Sequence, residues 1–174
     1  MKKTVFRYGI ISFVSLCILG FVNYLAIIGI PNYNGAIGGY VCILLSSVFI
    51  FFGIKQYRDK ENGGTVSYKQ AFLVGILIAI FPSLANGIYN VIYVKFIDPG
   101  FMDKYYDTAI REMKVKLPPE QFQVKLKSLE SERAIFKNIY LQFIMMFLTV
   151  FVIGAVVTAI SSLVLSRKSR TKTV

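Results

Sequence analysis

Four long apolar runs dominate the chain, and the polar residues are concentrated between them. The runs cover residues 8–30, 36–54, 71–94 and 139–165. A helix needs about 20 apolar residues to cross the hydrocarbon core of a bilayer, and longer runs are accommodated by tilt. The pattern therefore predicts an all-α membrane protein with four transmembrane helices, folded as a single domain over residues 1–174.

The first apolar run has one alternative interpretation, a secretory signal. A signal core is usually about 7–15 residues long, whereas this run has about 23. No small-x-small cleavage site follows it, and Leu16 is bulky where a lipoprotein signal needs a small residue before Cys17. We therefore interpret the run as a retained span.

Basic side chains flank the runs unevenly, and this bias predicts the orientation. Lysine and arginine accumulate in the cytoplasmic loops and flanks of membrane proteins. Three segments carry them here: Lys2, Lys3 and Arg7; Lys55, Arg58, Lys60 and Lys69; and Arg167, Lys168, Arg170 and Lys172. These segments share one side of the membrane only if the number of spans is even. We therefore predict a multi-pass protein with both termini in the cytoplasm and residues 98–138 outside.

The net charge of +11 is compatible with either nucleic acid or a membrane surface as partner. Nucleic-acid-binding domains carry a basic stripe on a soluble fold, whereas most of the excess here flanks the spans. Basic flanks attract anionic lipid head groups. The expected partner is therefore the lipid bilayer, with a membrane or extracytoplasmic protein partner left open, and no nucleic acid.

The inner loop between the second and third spans contains two local structural signals. Asn62, Gly63 and Gly64 supply the residue types that tolerate the positive φ angles of a tight turn. Ser67 followed three residues later by Gln70 is a capping box, in which each side chain bonds the other's backbone N–H. The capping box is therefore predicted to start the third helix, on the cytoplasmic side.

The segment 98–138 has helical periodicity of its own. Its first part repeats apolar residues every four positions, at Phe101, Tyr105, Ala109 and Met113, beside Met102, Tyr106 and Ile110. Asp98-Pro99 is expected to cap this helix and open its first turn, and Pro118-Pro119 to break it and start another. The second helix places Phe122, Leu126, Leu129 and Phe136 on one face. Two amphipathic helices can pair as a hairpin, lie on the membrane or cap the bundle.

Asp103 and Asp107 lie one turn apart, and this spacing suggests a cation site. Acids near the start of a solvated helix complement its dipole, which is the commoner role for such residues. We favour that role and predict no metal site.

The residues of the inner loop, together with two shorter segments, resemble the sequence pattern of a known protein family. They are Gly53, Ile54, Lys55, Tyr57, Arg58, Asp59, Lys60, Asn62, Gly63, Gly64, Val66, Ser67, Tyr68, Ala71 and Phe72, with 101–105 and 165–168. The pattern resembles a bacterial membrane-protein family called domain of unknown function 4199, over nearly the whole chain. The resemblance implies a small inner-membrane protein and brings no activity, cofactor or catalytic residue.

The apolar runs contain no Asp, Glu, Lys, Arg or His, and the chain has no histidine. Ion-coupled transporters usually need an ionisable group inside the membrane, and histidine is the commonest general base at neutral pH. No phosphate loop or nucleophile elbow is present. We therefore predict that the protein is not an enzyme and has no cofactor.

The polar residues of the spans are uncharged and have two interpretations. Ser83, Asn86 and Asn90 lie near one face of the third span, where Pro82 is expected to bend the helix. Small residues form further stripes at Gly39, Cys42, Ser46 and Gly53, and at Gly154, Thr158 and Ser161. Such residues support close helix packing, which we favour over a polar pathway lined by the two asparagines.

Two functional hypotheses follow from these features. The first is a non-enzymatic protein of unknown process that acts through packing or partner contacts, using the outer helical segment as an interaction surface. The alternative is a small channel or carrier for an uncharged or weakly polar solute, with Asn86 and Asn90 lining its path.

Overall fold

A computed structural model describes residues 1–31, 33–136 and 138–166, without the side chain of Ile135. The predicted basic tail, from Arg167 to Lys172, lies outside the described residues. Within them the fold is all-helical, with six α-helices and no strand. The helices are α1 (Lys2–Gly29), α2 (Gly35–Gln56), α3 (Tyr68–Ile92), α4 (Phe101–Lys116), α5 (Pro119–Phe136) and α6 (Ile139–Leu165).

Four of these helices, α1, α2, α3 and α6, are long and apolar enough to cross a membrane, as predicted. Three of them extend beyond their apolar runs. The helix α1 begins at Lys2, while α2 and α3 continue as π-helical turns over Tyr57–Glu61 and Tyr93–Ile97. Because backbone hydrogen bonding does not depend on side-chain polarity, a helix can continue beyond the end of its apolar run. The loop between the second and third spans is correspondingly shorter than predicted.

The chain divides into two compact units, one of Met1–Asn86 with Phe147–Val174 and one of Gly87–Met146. We describe each by itself. The prediction of a single domain stays a prediction, because a division by contacts does not measure whether either unit folds independently.

The core of the first unit lies where α2, α3 and α6 approach closely. Ile54 and Ile78 are fully buried there. A Cβ on Gly53 would lie 2.4 Å from Cδ1 of Ile78, and one on Gly75 would lie 2.5 Å from Cγ2 of Thr158. Glycine at these positions therefore lets the helix backbones approach, as expected for small residues in membrane bundles.

The turn before α3 forms as predicted. Gly63 and Gly64 have φ angles of +63° and +82°, which glycine adopts without steric cost. The backbone N–H of Gln70 donates to Ser67 Oγ at 3.4 Å, and the N–H of Ser67 donates to Gln70 Oε1 at 3.2 Å. Both halves of the capping box are thus made, and α3 begins at Tyr68.

In the second unit, α4 and α5 pack against each other as a hairpin, here called the interspan hairpin (Phe101–Phe136). Pro119 is the first residue of α5, as predicted. The predicted cap at Asp98 is wrong: α4 begins at Phe101, with Gly100 as its N-cap. Asp98 instead accepts from the N–H of Gly100 at 3.2 Å and pairs with Lys104 at 3.1 Å. Its carboxylate therefore stabilises the turn that precedes the helix.

Candidate functional site

The three polar residues singled out in the third span have different environments. Ser83 is fully buried, and its hydroxyl donates to the carbonyl of Ala79 at 2.8 Å, one turn back in its own helix. Asn86 is half-buried in the first unit, and Asn90 is half-buried in the second. The serine is thus satisfied within its own helix.

Asn90 lines a cavity of about 360 Å³ in the second unit. The other lining residues are Phe101, Met102, Tyr105, Tyr106, Glu132, Phe136 and Met146. The carbonyl oxygen of Asn90 is shielded from solvent and has no hydrogen-bond partner among the described residues. Shielded side-chain atoms of Ser12, Gln142, Thr158 and Ser162 also have no partner in the described part of the chain, but none of these residues lines this cavity. An unpaired acceptor on a residue that lines a cavity makes the cavity a candidate binding site.

Aromatic side chains form most of one wall of this cavity. The ring centroids of Phe101 and Tyr105 are 6.5 Å apart in a stacked arrangement, and those of Tyr105 and Tyr106 are 5.5 Å apart at 82°. Tyr93 packs edge-on against Phe101 at 5.3 Å. The four-residue spacing along α4 brings Phe101 and Tyr105 together, because residues one helical turn apart are neighbours.

Among the described side chains of the interspan hairpin, Tyr106 is the most buried, at 3% exposure. Burial raises the pKa of its hydroxyl, and the nearby Glu132 carboxylate raises it further, since both disfavour the phenolate. The Arg133 guanidinium carbon lies 5.9 Å from the centre of the Tyr106 ring, within the range of a cation–π contact.

Arg133 joins the two helices of the hairpin electrostatically. Its guanidinium donates to Asp103 and, at 3.4 Å, to Asp107. The hydrogen bond to Asp103 is the main reason that the pKa of Arg133 is raised. The two aspartates therefore do more than complement a helix dipole: they bind a cationic side chain from the facing helix.

No three His, Cys, Asp or Glu side chains come together as a metal site in the ranges that the structure covers. Arg133 was not among the residues predicted to be functional, although one signal in the sequence pointed to it. Arg133 falls on the apolar face of α5, in line with Leu129 and Phe136, where a charged residue needs a partner.

A second residue that sequence reasoning missed lies in the first unit. Glu61, at the end of the π-helical turn, accepts a hydrogen bond from the hydroxyl of Thr4, which is almost fully buried. The signal available was that Glu61 is one of two acidic residues, with Asp59, in a mainly basic loop. This contact joins α1 to the turn that follows α2.

A polar cavity of about 860 Å³ also lies in the first unit, between the 62–67 turn and the end of α6. Arg58 lines it, bonded to Asp59 at 2.7 Å and to the carbonyl of Leu165 at 3.5 Å. Thr65 and Gln70 also contribute to its lining. The charge of Arg58 is therefore already offset within the first unit.

The chain matches the family described as "Protein of unknown function (DUF4199)" over residues 7–167. The chain belongs to this family. No curated protein and no solved structure matches it. Together with the four apolar helices, membership indicates a multi-pass membrane protein, in agreement with the resemblance noted in the sequence.

The match includes the turn, the capping box and the whole interspan hairpin, since all lie between residues 7 and 167. The family's description carries no activity, so membership assigns no role to any residue.

Proposed function

We propose that the chain is a multi-pass protein of a bacterial inner membrane, with both termini in the cytoplasm and the interspan hairpin outside. The basic flanks near Arg7 and the Lys55–Lys69 segment support this orientation. Four candidate spans among the described residues, an even number, are consistent with these flanks sharing one side.

We propose further that the protein acts without catalysis, through contacts made by its hairpin and its spans. The observation that carries this proposal is the hairpin itself. It contains paired helices, a buried Tyr106 and ion pairs through Arg133, so it is a folded element rather than a plain linker. A folded element between two spans of a membrane protein is suited to holding a ligand or another protein.

Reporter fusions test the orientation. Fusions after Lys60 and after Lys172 should behave as cytoplasmic, because basic flanks stay inside. A fusion after Pro119 should behave as exported. Export of a reporter placed at Lys60 would contradict the proposed orientation.

Photo-crosslinking in the native membrane tests the contact function. Val124 on α5 is 74% exposed, so a crosslinking residue there should yield a discrete protein adduct. Val156, in the middle of α6 and 54% exposed, is the matched control and should yield lipid adducts only. If Val124 also gave only lipid adducts, the hairpin would not be a protein-contact element.

A carrier for an uncharged or weakly polar solute is the second candidate. Asn90 lines the 360 Å³ cavity, and its carbonyl oxygen has no hydrogen-bond partner among the described residues. This combination favours the carrier. The absence of ionisable residues from the apolar runs weighs against coupled transport. Solute flux in liposomes separates this candidate from the first.

A further inference from the structure

The cavity that Asn90 lines lies within the second unit, between the parts of α3 and α6 that belong to this unit and the interspan hairpin. Asn90 is in the last turn of α3, and Met146 is in the second turn of α6. The hairpin supplies the remaining wall. At about 360 Å³, the cavity falls in the size range of small-molecule sites.

The lining groups favour a positively charged ligand. Glu132 contributes a carboxylate, and the shielded carbonyl oxygen of Asn90 is a hydrogen-bond acceptor without a donor. The faces of Phe101, Tyr105 and Tyr106 are electron-rich and attract cations. Acceptors combined with aromatic faces are complementary to an ammonium group, and an anion would meet unfavourable charge.

The charges around the cavity agree with this preference. Asp103 and Asp107 face Arg133, so the hairpin brings two carboxylates to a single guanidinium. Glu132 adds a third carboxylate on the cavity side. Arg133 already makes a cation–π contact with the Tyr106 ring within the hairpin, so the rings of Phe101 and Tyr105 are the part of the aromatic wall proposed to meet a ligand.

We propose that this cavity binds a protonated primary amine, held by the Glu132 carboxylate and the Asn90 carbonyl against the aromatic wall of α4. A primary ammonium fits better than a quaternary one, because only N–H groups can satisfy the unpaired carbonyl. Two sources carry this group: the head group of an ethanolamine lipid, and a free aliphatic amine. Binding of a lipid head group depends on the proposed membrane location of the protein, whereas binding of a free amine requires only the second unit.

Binding of free amines to the full chain in detergent is the first experiment. We expect saturable binding of n-butylammonium, weaker binding of n-butyltrimethylammonium, and the weakest binding of n-butanol. The three probes share the same alkyl chain and differ in charge and in N–H donors. Equal binding of n-butanol and n-butylammonium would overturn the proposal.

Matched variants locate the binding group. Glu132→Gln removes one charge-assisted hydrogen bond and should weaken n-butylammonium binding about tenfold. Glu130→Gln makes the same change on α5 at an exposed residue outside the cavity lining and should leave binding unchanged. Equal losses in the two variants would contradict the assignment.

A third variant tests the proposal even if Glu132→Gln disturbs the fold. Tyr105 is 58% exposed, so Tyr105→Leu should leave the melting temperature nearly unchanged. Removing its aromatic face should still weaken amine binding several-fold, because a cation–π contact at an exposed ring contributes about 0.5–1 kcal/mol, which is a factor of about 2–5. Unchanged binding in this variant would show that the aromatic wall is not part of the site.

Nanodiscs distinguish the two sources of the amine. If the lipid head group is the ligand, discs of ethanolamine lipid should raise the melting temperature of wild type above that in glycerol-lipid or choline-lipid discs. Glu132→Gln should lose this increase, whereas Glu130→Gln should keep it. Binding of the free amine without any lipid preference assigns the free source. No binding in either arm overturns the proposal and leaves the results of the reporter fusions unaffected.

Discussion

At the scale of single residues, the glycines of the first unit differ sharply in what surrounds them. A Cβ on Gly154 would lie 2.9 Å from the Cβ of Ala79 and 3.6 Å from Cδ1 of Ile50. A Cβ on Gly39 would meet nothing within 4 Å. The stripe of small residues that includes Gly154 is therefore a packing seam, whereas Gly39 lies outside any such seam.

The substitution Gly154→Ala should destabilise the protein by about 1–3 kcal/mol, the usual cost of overpacking a tight interior. Neither Cβ can rotate away, so α3 and α6 must shift. Gly39→Ala is the control and should be neutral or stabilising by up to about 1 kcal/mol, because alanine is the better helix former. Unfolding free energies in mixed detergent micelles would measure both. Equal effects would show that the two helices can separate without cost.

The substitution Ser67→Ala removes the side-chain acceptor at the start of α3. The backbone N–H of Gln70 then loses its partner, which should cost about 1 kcal/mol. Ser128→Ala, at an exposed position inside α5, is the control and should change little. An unchanged melting temperature in Ser67→Ala would mean that water replaces the cap.

At the scale of the elements, the interspan hairpin depends on one buried hydroxyl that can ionise. Burial and the Glu132 carboxylate raise the pKa of Tyr106 above its usual value of 10.0. A group whose pKa is raised by folding contributes its full stabilisation below the unfolded pKa. That contribution is lost as the pH rises through the folded pKa.

Wild type should therefore lose helix at high pH in a way that Tyr106→Phe does not, since phenylalanine has no proton to release. Circular dichroism from about pH 9 to about pH 12 would follow the loss, a range that brackets the ordinary tyrosine pKa. Tyr105→Phe, at an exposed neighbour, should keep the wild-type profile. Identical profiles for wild type and Tyr106→Phe would exclude Tyr106 as the ionising group.

The elements themselves were largely predictable from sequence, and their side-chain pairing was not. Apolar runs and the Pro118-Pro119 break determine the helices because both signals are local. The pairing of Arg133 with Asp103 joins residues 30 positions apart, and no periodicity encodes such a pair. The start of α4 was missed for a related reason: Asp98 can cap a helix or stabilise the turn before it, and only the backbone path decides.

At the scale of the whole molecule, the polar side chains of the spans differ in whether they have a hydrogen-bond partner in their own helix. The hydroxyls of Ser46, Ser47 and Ser83 donate to carbonyls of their own helices, which removes them from any pathway. Among the described residues, shielded atoms without a partner occur at Asn90 and also at Ser12, Gln142, Thr158 and Ser162, and of these residues Asn90 lines the cavity. The sequence identified Asn90 as polar within a span, but the cavity beside it depends on the hairpin and had no local signal.

Solute flux decides between a packing and a carrier role for Asn86 and Asn90. If these amides only hold helices together, each contributes about 0.6 kcal/mol, the average for such bonds in membranes. Asn86→Leu and Asn90→Leu should then lower stability slightly and leave the permeability of liposomes to urea and glycerol at the protein-free level. If they line a path, the variants should abolish a wild-type flux while the melting temperature is unchanged.

We expect no flux in any sample, because the apolar runs contain no ionisable group to gate or couple it. Asn90→Leu should nevertheless lose n-butylammonium binding, so a variant that loses binding without any change in flux would indicate a binding site rather than a pathway.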